Sequence, residues 1–132
     1  MKSCPCGSQL SYEECCRPLI KGRRKAATAE QLMRSRYTAY VTKKVDYLIS
    51  TTYPSAREED LAESIRRWMR KVEWLKLHVV AVDAGSKSDD TGRVEFIAEY
   101  VSDKGPGRHH ECSVFKKRKG EWFYVGEEDE SA

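Results

Sequence analysis

Four of the five cysteines in this 132-residue chain fall between Cys4 and Cys16, as Cys4-Pro5-Cys6 and the adjacent pair Cys15-Cys16. A segment this short has too little apolar side chain to hold itself together, so something other than a hydrophobic core must cross-link it. Clustered thiols offer two cross-links, disulfides and a metal. Adjacent cysteines such as Cys15 and Cys16 bridge each other only with strain. Nothing ahead of Cys4 reads as a signal peptide, so a cytoplasmic setting that keeps thiols reduced is expected. In that setting clustered cysteines point to a metal, and four thiolates complete the tetrahedral shell that Zn²⁺ takes in closed structural sites. Cys4, Cys6, Cys15 and Cys16 are therefore the expected Zn²⁺ ligands. Pro5 stiffens the first pair, Gly7 lets the backbone curl so that amides face the sulfurs, and Leu10 and Tyr12 are the expected apolar cover.

The chain beyond the cluster is long enough for one domain, with Trp68, Trp74 and Trp122 as bulky core residues. No apolar run approaches the ~20 residues of a membrane span, and no membrane partner is expected. The formal net charge of +3 is unevenly spread. Lys2, Arg17, Lys21, Arg23, Arg24 and Lys25 face only Glu13 and Glu14 at the start, whereas Glu127, Glu128, Asp129 and Glu130 make an acidic end. Lys21-Gly22-Arg23-Arg24-Lys25 is able to neutralise phosphates. Base readers, however, interleave aromatic side chains with their charges, and only Tyr12 is near. Four thiolates with one Zn²⁺ also bring the sum close to neutrality, which gives a weak electrostatic footprint. A protein or ribosomal partner docking on the basic knuckle is the first expectation, and direct contact with nucleic acid the second.

Periodicity divides the chain into a knuckle and connector over 1–25, a globular domain over 26–127 and an acidic tail over 128–132. The domain is expected to fold without the knuckle. Thr28-Ala29-Glu30-Gln31 reads as a capping box, opening a helix that runs to about Lys43. Asp46 is the expected N-cap of a second helix, which must end before Tyr53-Pro54 because the residue before proline avoids helical angles. Ser55-Ala56-Arg57-Glu58 reads as a second capping box, followed by the stripe Leu61, Ile65, Trp68 and Met69. From Val72 the period becomes two, with Leu75, Leu77, Val79 and Ala81 alternating against Lys76, His78, Val80 and Val82. A polar loop over 83–92 precedes strands over 93–102, 108–117 and 121–126, joined by turns at Lys104-Gly105-Pro106-Gly107 and Lys119-Gly120. Three helices and then a four-stranded meander predict an α+β fold, with helices on one face of an antiparallel sheet.

The same residues carry a resemblance. Cys4-Pro5-Cys6-Gly7-Ser8, Tyr12 and Cys15-Cys16 resemble the SEC-C motif, the zinc tail known from the SecA translocase ATPase. Cys16 stands where the motif's last ligand is often His, and Gln9 where a small residue is expected. The rest resembles the YchJ-type bacterial family, which joins a SEC-C motif to a nuclear transport factor 2-like (cystatin-like) domain. The carriers are Ala29-Glu30-Gln31-Leu32-Met33-Arg34-Ser35-Arg36-Tyr37-Thr38-Ala39-Tyr40, Trp74-Leu75, His110-Glu111-Cys112-Ser113-Val114-Phe115 and Trp122-Phe123-Tyr124. Cys112 departs from the basic residue that usually follows the His-Glu pair. The resemblance implies a cone, in which a curved sheet wraps the first long helix and leaves a cavity. That fold hosts enzymes and non-enzymes alike, and the resemblance brings no activity with it.

Alternation sorts the third strand. Glu111, Ser113 and Phe115 share one face, and His110, Cys112 and Val114 the other. If Phe115 belongs to the core, Glu111 points inward and needs a partner, for which Arg34 or Arg36 is expected. The pair then reads either as a structural ion pair or as a general base with a tuned pKa. His110 reads as a satisfied surface histidine and becomes the inward group only if Glu111 lies outside. The catalytic candidates are accordingly Glu111, Arg36 and His110. Tyr37, Tyr40, Tyr47 and Tyr53 are expected to pack with their hydroxyls at the rim, with pocket lining as the alternative. Cys112 reads as a small strand residue. HExxH, a Gly-rich phosphate loop and a nucleophile elbow do not occur. Because a closed four-sulfur zinc site does no chemistry, a binding module leads over a hydratase, isomerase or cyclase. A carboxylate-lined cavity would favour the enzyme.

Overall fold

The chain opens with a hairpin, in which the Cys4 amide donates to the Leu10 carbonyl at 2.8 Å and the Tyr12 amide to the Lys2 carbonyl at 3.1 Å. In the computed structural model, which describes residues 2–128, this hairpin leads into helix α1 (Cys16–Ile20). Gly22, at φ +77°, then closes α1. Its amide reaches the Leu19 carbonyl at 3.1 Å and the Arg23 amide reaches that of Pro18 at 2.9 Å, the two bonds of a Schellman motif. Asp129 and Glu130 of the expected acidic tail lie outside the described residues.

Helix α2 (Ala29–Val41) starts as its sequence requires, with the Thr28 hydroxyl accepting from the Gln31 amide at 3.1 Å. Gln31 reaches back one residue further than the capping box predicts, taking the Ala27 amide at 2.9 Å. The helix ends where Lys43 turns to φ 61° and the Lys44 amide bonds the Ala39 carbonyl at 2.8 Å. Helix α3 (Val45–Ser50) follows Lys44, so Asp46 lies inside its first turn and is not the N-cap. The second capping box also fails. Pro54 sets up a single 3₁₀ turn, Pro54–Ala56, after which Arg57 is extended, its guanidinium bound to the Thr52 and Ser50 carbonyls. Helix α4 (Leu61–Lys71) therefore begins later, behind Asp60. The expected three helices of the domain are α2, α3 and α4, with α1 belonging to the knuckle.

Strands β1 (Val72–Ala84), β2 (Thr91–Ser102), β3 (Gly105–Arg118) and β4 (Glu121–Glu127) form an antiparallel meander in the order β1-β2-β3-β4. The unbroken alternation expected of the first strand does not hold. Trp74 faces Tyr100 and Lys76 faces Glu99, which leaves Leu75 as an extra residue; Val80 is extra in the same way. These bulges turn Leu75 and Val80 out to solvent, at 59% and 52% exposure, while keeping Trp74, Leu77 and Val79 on the inner face. At the far edge, the Tyr53 amide bonds the Tyr124 carbonyl and the Tyr124 amide bonds that of Thr51, each at 2.8 Å, tying the end of α3 to β4.

Helix α2 lies against the inner face of the sheet, touching β1, β2 and β4. Phe115, Leu32 and Val94 are fully buried between them. Cys4, Cys6 and Cys16 belong to this same buried cluster, alongside Leu32 and Met33. The knuckle and the domain thus share one core. Leu10 is 52% exposed and does not cover the cysteines; Tyr12 does.

Candidate metal centre and ligand pocket

The hairpin turn supplies Cys4 and Cys6, and the start of α1 supplies Cys15 and Cys16. Their four sulfurs all lie within 4.8 Å of one another. Cys6 Sγ is 3.7 Å from Cys15 Sγ, which is 3.8 Å from Cys16 Sγ. A Zn–S bond of about 2.3 Å sets tetrahedral sulfurs about 3.8 Å apart, so the donor set fits a metal ion in both number and spacing. Hydrogen bonds from Cys16 and Cys4 hold the Cys6 thiol far below its usual pKa, whereas burial pushes Cys15 up to about 11. A coordinated cation deprotonates its thiol ligands outright. Outer contacts fix the cluster on α2: Arg34 Nη1 donates to the Cys6 carbonyl at 2.6 Å, and Cys4 Sγ lies 3.6 Å from the Thr38 hydroxyl. Arg34 is held in turn by Glu30, 2.9 Å away and one helical turn earlier. Arg34 therefore serves the knuckle and does not pair with Glu111.

On the other side of α2, an open pocket of about 380 Å³ lies between α2, α4 and the sheet. Its walls are apolar and largely aromatic: Met33, Tyr37 and Tyr40 from α2, Leu61, Ile65 and Trp68 from α4, and Trp74 and Phe96 from the strands. Trp68 and Trp74 stack 6.3 Å apart, and Tyr37, Tyr40 and Tyr100 meet Trp74 edge-on. Trp74 Nε1 is buried and bonds no described residue. Of the four expected tyrosines, two line the pocket. Tyr47 shares a 2.6 Å hydrogen bond with Ser35, and Tyr53 packs on Phe123.

Glu111 points inward, as alternation requires, and its side chain is only 12% exposed. Its partner is not Arg36. His109 Nε2 lies 3.0 Å from Oε1, while Tyr124 donates to Oε2 at 2.9 Å and Ser113 to the same oxygen at 2.5 Å. Burial works against the carboxylate, but hydrogen bonds from His109, Ser113 and Tyr124 outweigh it and hold its pKa below the usual value. The bond to Glu111 raises the His109 pKa against the opposing effect of burial. Arg36 spends Nη1 on the Leu48 carbonyl at 2.8 Å and the Thr51 hydroxyl at 2.6 Å, and its guanidinium lies over the Tyr124 ring, 4.5 Å from the centroid. It lines the pocket but makes no ion pair with Glu111, its Nη1 being held at the C-terminal end of α3. His110 points outward and pairs with Glu95 at 2.6 Å, so its neighbour His109 takes the inward place. The signal was period two: His109, Glu111 and Ser113 are alternate residues of β3. Cys112 lies on the outer face, where burial pushes its thiol up to about 11.

A family model described as the YchJ, middle NTF2-like domain matches residues 28–127. A UPF0225 protein of Geobacter sulfurreducens is 43% identical over 122 residues, which is 92% of this chain and 76% of that one. Among solved structures, a SEC-C motif containing protein from Rhodopseudomonas palustris superimposes with a TM-score of 0.85 at 40% identity, covering 95% of this chain and 96% of that one. A second, from Psychrobacter arcticus, gives 0.78 at 31% identity, with 95% and 81% covered.

Proposed function

The chain belongs to the YchJ family, with a nuclear transport factor 2-like domain behind a SEC-C-type cysteine cluster, and on that premise we propose that it is a small-ligand-binding cone fastened by a structural zinc knuckle. One observation carries the ligand reading. A largely buried carboxylate with three donors sits on the wall of an open pocket of about 380 Å³ whose lining is mostly apolar and aromatic. Ligand sites are built in that way, from apolar walls and a few converging polar groups. A carboxylate on the cavity wall is also the feature expected to favour an enzyme over a docking module. Zn²⁺ held by Cys4, Cys6, Cys15 and Cys16 would supply cross-linking and no chemistry, since four sulfurs leave no open coordination position. Metal analysis of protein purified without chelator should return about one zinc per chain, by the stoichiometry of a four-sulfur shell. A small-molecule screen by NMR should shift the indole signals of Trp68 and Trp74. Hits that leave both indoles unmoved would remove the ligand reading.

A second reading rests on the connector, where Lys21, Arg23, Arg24 and Lys25 are all exposed. Arg24 is used on the Glu14 carbonyl and Lys25 on Glu121, while Lys21 and Arg23 bond no described side chain. Those two charges suit docking on an acidic protein or on a ribosomal surface. Binding to purified ribosomes that survives Lys21→Glu with Arg23→Glu would exclude this face.

A further inference from the structure

We infer that His109 is a general acid–base group of the pocket, oriented by Glu111, and that the ligand is a small, planar, mostly uncharged carbon acid. The inference rests on the pocket being a ligand site. His109 lies on the pocket wall with its ring 6.1 Å from Trp68, 6.4 Å from Trp74 and 6.1 Å from Phe96. Its Nε2 is committed to Glu111 at 3.0 Å, and no described residue bonds Nδ1. A carboxylate on one ring nitrogen fixes the tautomer and leaves the other nitrogen with a free lone pair on a ring that lines the cavity. Glu111 is itself held by Tyr124 and Ser113, so the imidazole has a fixed support. Glu111 is thus a positioning residue, and His109 the group that meets the ligand.

The surroundings decide the ligand's character. Stacked indoles and tyrosines favour a flat ring, and a wall dominated by apolar atoms disfavours a charged one. Around His109, the groups that titrate or carry charge are Glu111 on its own strand, Arg36, Tyr37 and Tyr40 from α2, and Tyr124 and Glu127 from β4. From α4, β1 and β2 the described lining residues are uncharged. Burial raises the pKa of Tyr37 to about 12 and lifts Tyr40 and Tyr124 as well. The imidazole is therefore the group of this wall whose ordinary value, ~6.5, lies nearest neutrality, and Glu111 raises it. Tyr40 also lines the pocket, and its hydroxyl bonds no described residue.

The step balances without an added reactant. A proton leaves the carbon next to a carbonyl and binds Nδ1. The C–H pair becomes the C=C bond of the enolate, and the C=O π pair moves onto oxygen. Return of the proton to another carbon isomerises the substrate, and expulsion of a β-hydroxyl with that proton dehydrates it.

The test uses 5-nitrobenzisoxazole, a flat aromatic carbon acid that opens when one base takes one proton. The ring C–H proton goes to Nδ1, its electron pair completes the nitrile, and the N–O bond breaks to release a coloured phenolate. The full-length protein should accelerate this reaction, with a rate that rises as pH passes through the imidazole pKa. Because Glu111 raises that pKa, the rising limb should lie above the usual histidine value of ~6.5. His109→Gln should lower the rate on the order of a hundredfold, the scale of a positioned general base. Glu111→Gln should move the limb to lower pH, an effect that a merely structural carboxylate would not produce. Binding is read separately, by saturation transfer to the probe's ring protons. Probe that binds without acceleration, acceleration that survives His109→Gln in a folded variant, or a limb absent from the imidazole range would each overturn the dyad. Absence of binding would overturn the pocket reading beneath it.

Discussion

Removing the Glu111 side chain is the perturbation with the clearest arithmetic. Glu111→Ala strips one acceptor from three part-buried donors, the His109 ring, the Ser113 hydroxyl and the Tyr124 hydroxyl. Hydrogen bonds to a charged group contribute about 1.5–3 kcal/mol each, and the burial cost of the carboxylate offsets part of that sum. Breaking a buried pair while leaving its partner costs about 3–5 kcal/mol. A chain of this size loses roughly 3–6 °C of midpoint per kcal/mol, so the fall should be about 10–30 °C. Glu111→Gln is milder, because its side-chain oxygen still accepts a hydrogen bond; about 1–2 kcal/mol is expected. The pH dependence has two limbs. Glu111 is depressed in the fold, so its share of stability is present above the unfolded value of ~4.3 and is lost as pH falls through the lower folded value. His109 is raised, so its share is full below ~6.5 and is lost as pH rises through the folded value. The gap in urea midpoint between wild type and Glu111→Ala should therefore be widest between about pH 4.3 and 6.5. A Glu111→Ala melt within about 2 °C of wild type would refute the stabilising account. A rise would mark the carboxylate as held against stability for function.

Two more variants probe the frame around the sites. A Cβ at Gly107 would lie 2.5 Å from the Tyr100 ring, so Gly107→Ala should displace that ring from Trp74, cost about 1–3 kcal/mol and change the near-UV dichroism. Arg34→Ala removes the donor to the Cys6 carbonyl and should lower zinc affinity by about 10–100-fold in a chelator competition, as the loss of outer-shell partners does. An unchanged affinity would show that α2 does not brace the knuckle.

Short-range chemistry was legible in the chain because its causes are local. The spacing of Cys4, Cys6, Cys15 and Cys16 follows from what a tetrahedral ion asks of a short loop, and the structure brings those four sulfurs together. Thr28 caps α2, and period two sends Glu111 and Phe115 to one face, each for reasons contained within a few residues. The α+β class followed from the same periodicities, whereas the cone was what the family resemblance implied. Partners chosen across the fold were not legible. Arg36 was the natural mate for an inward carboxylate until α3 folded back and offered it the Leu48 carbonyl and the Thr51 hydroxyl at shorter range. His109 took its place because a strand neighbour two residues away is already on the right face. The bulges that expose Leu75 and Val80 answer to sheet curvature, which no single strand encodes. Only the packed structure decided that the cysteine cluster shares the domain's core, since burial is a property of what lies opposite and not of the residue itself.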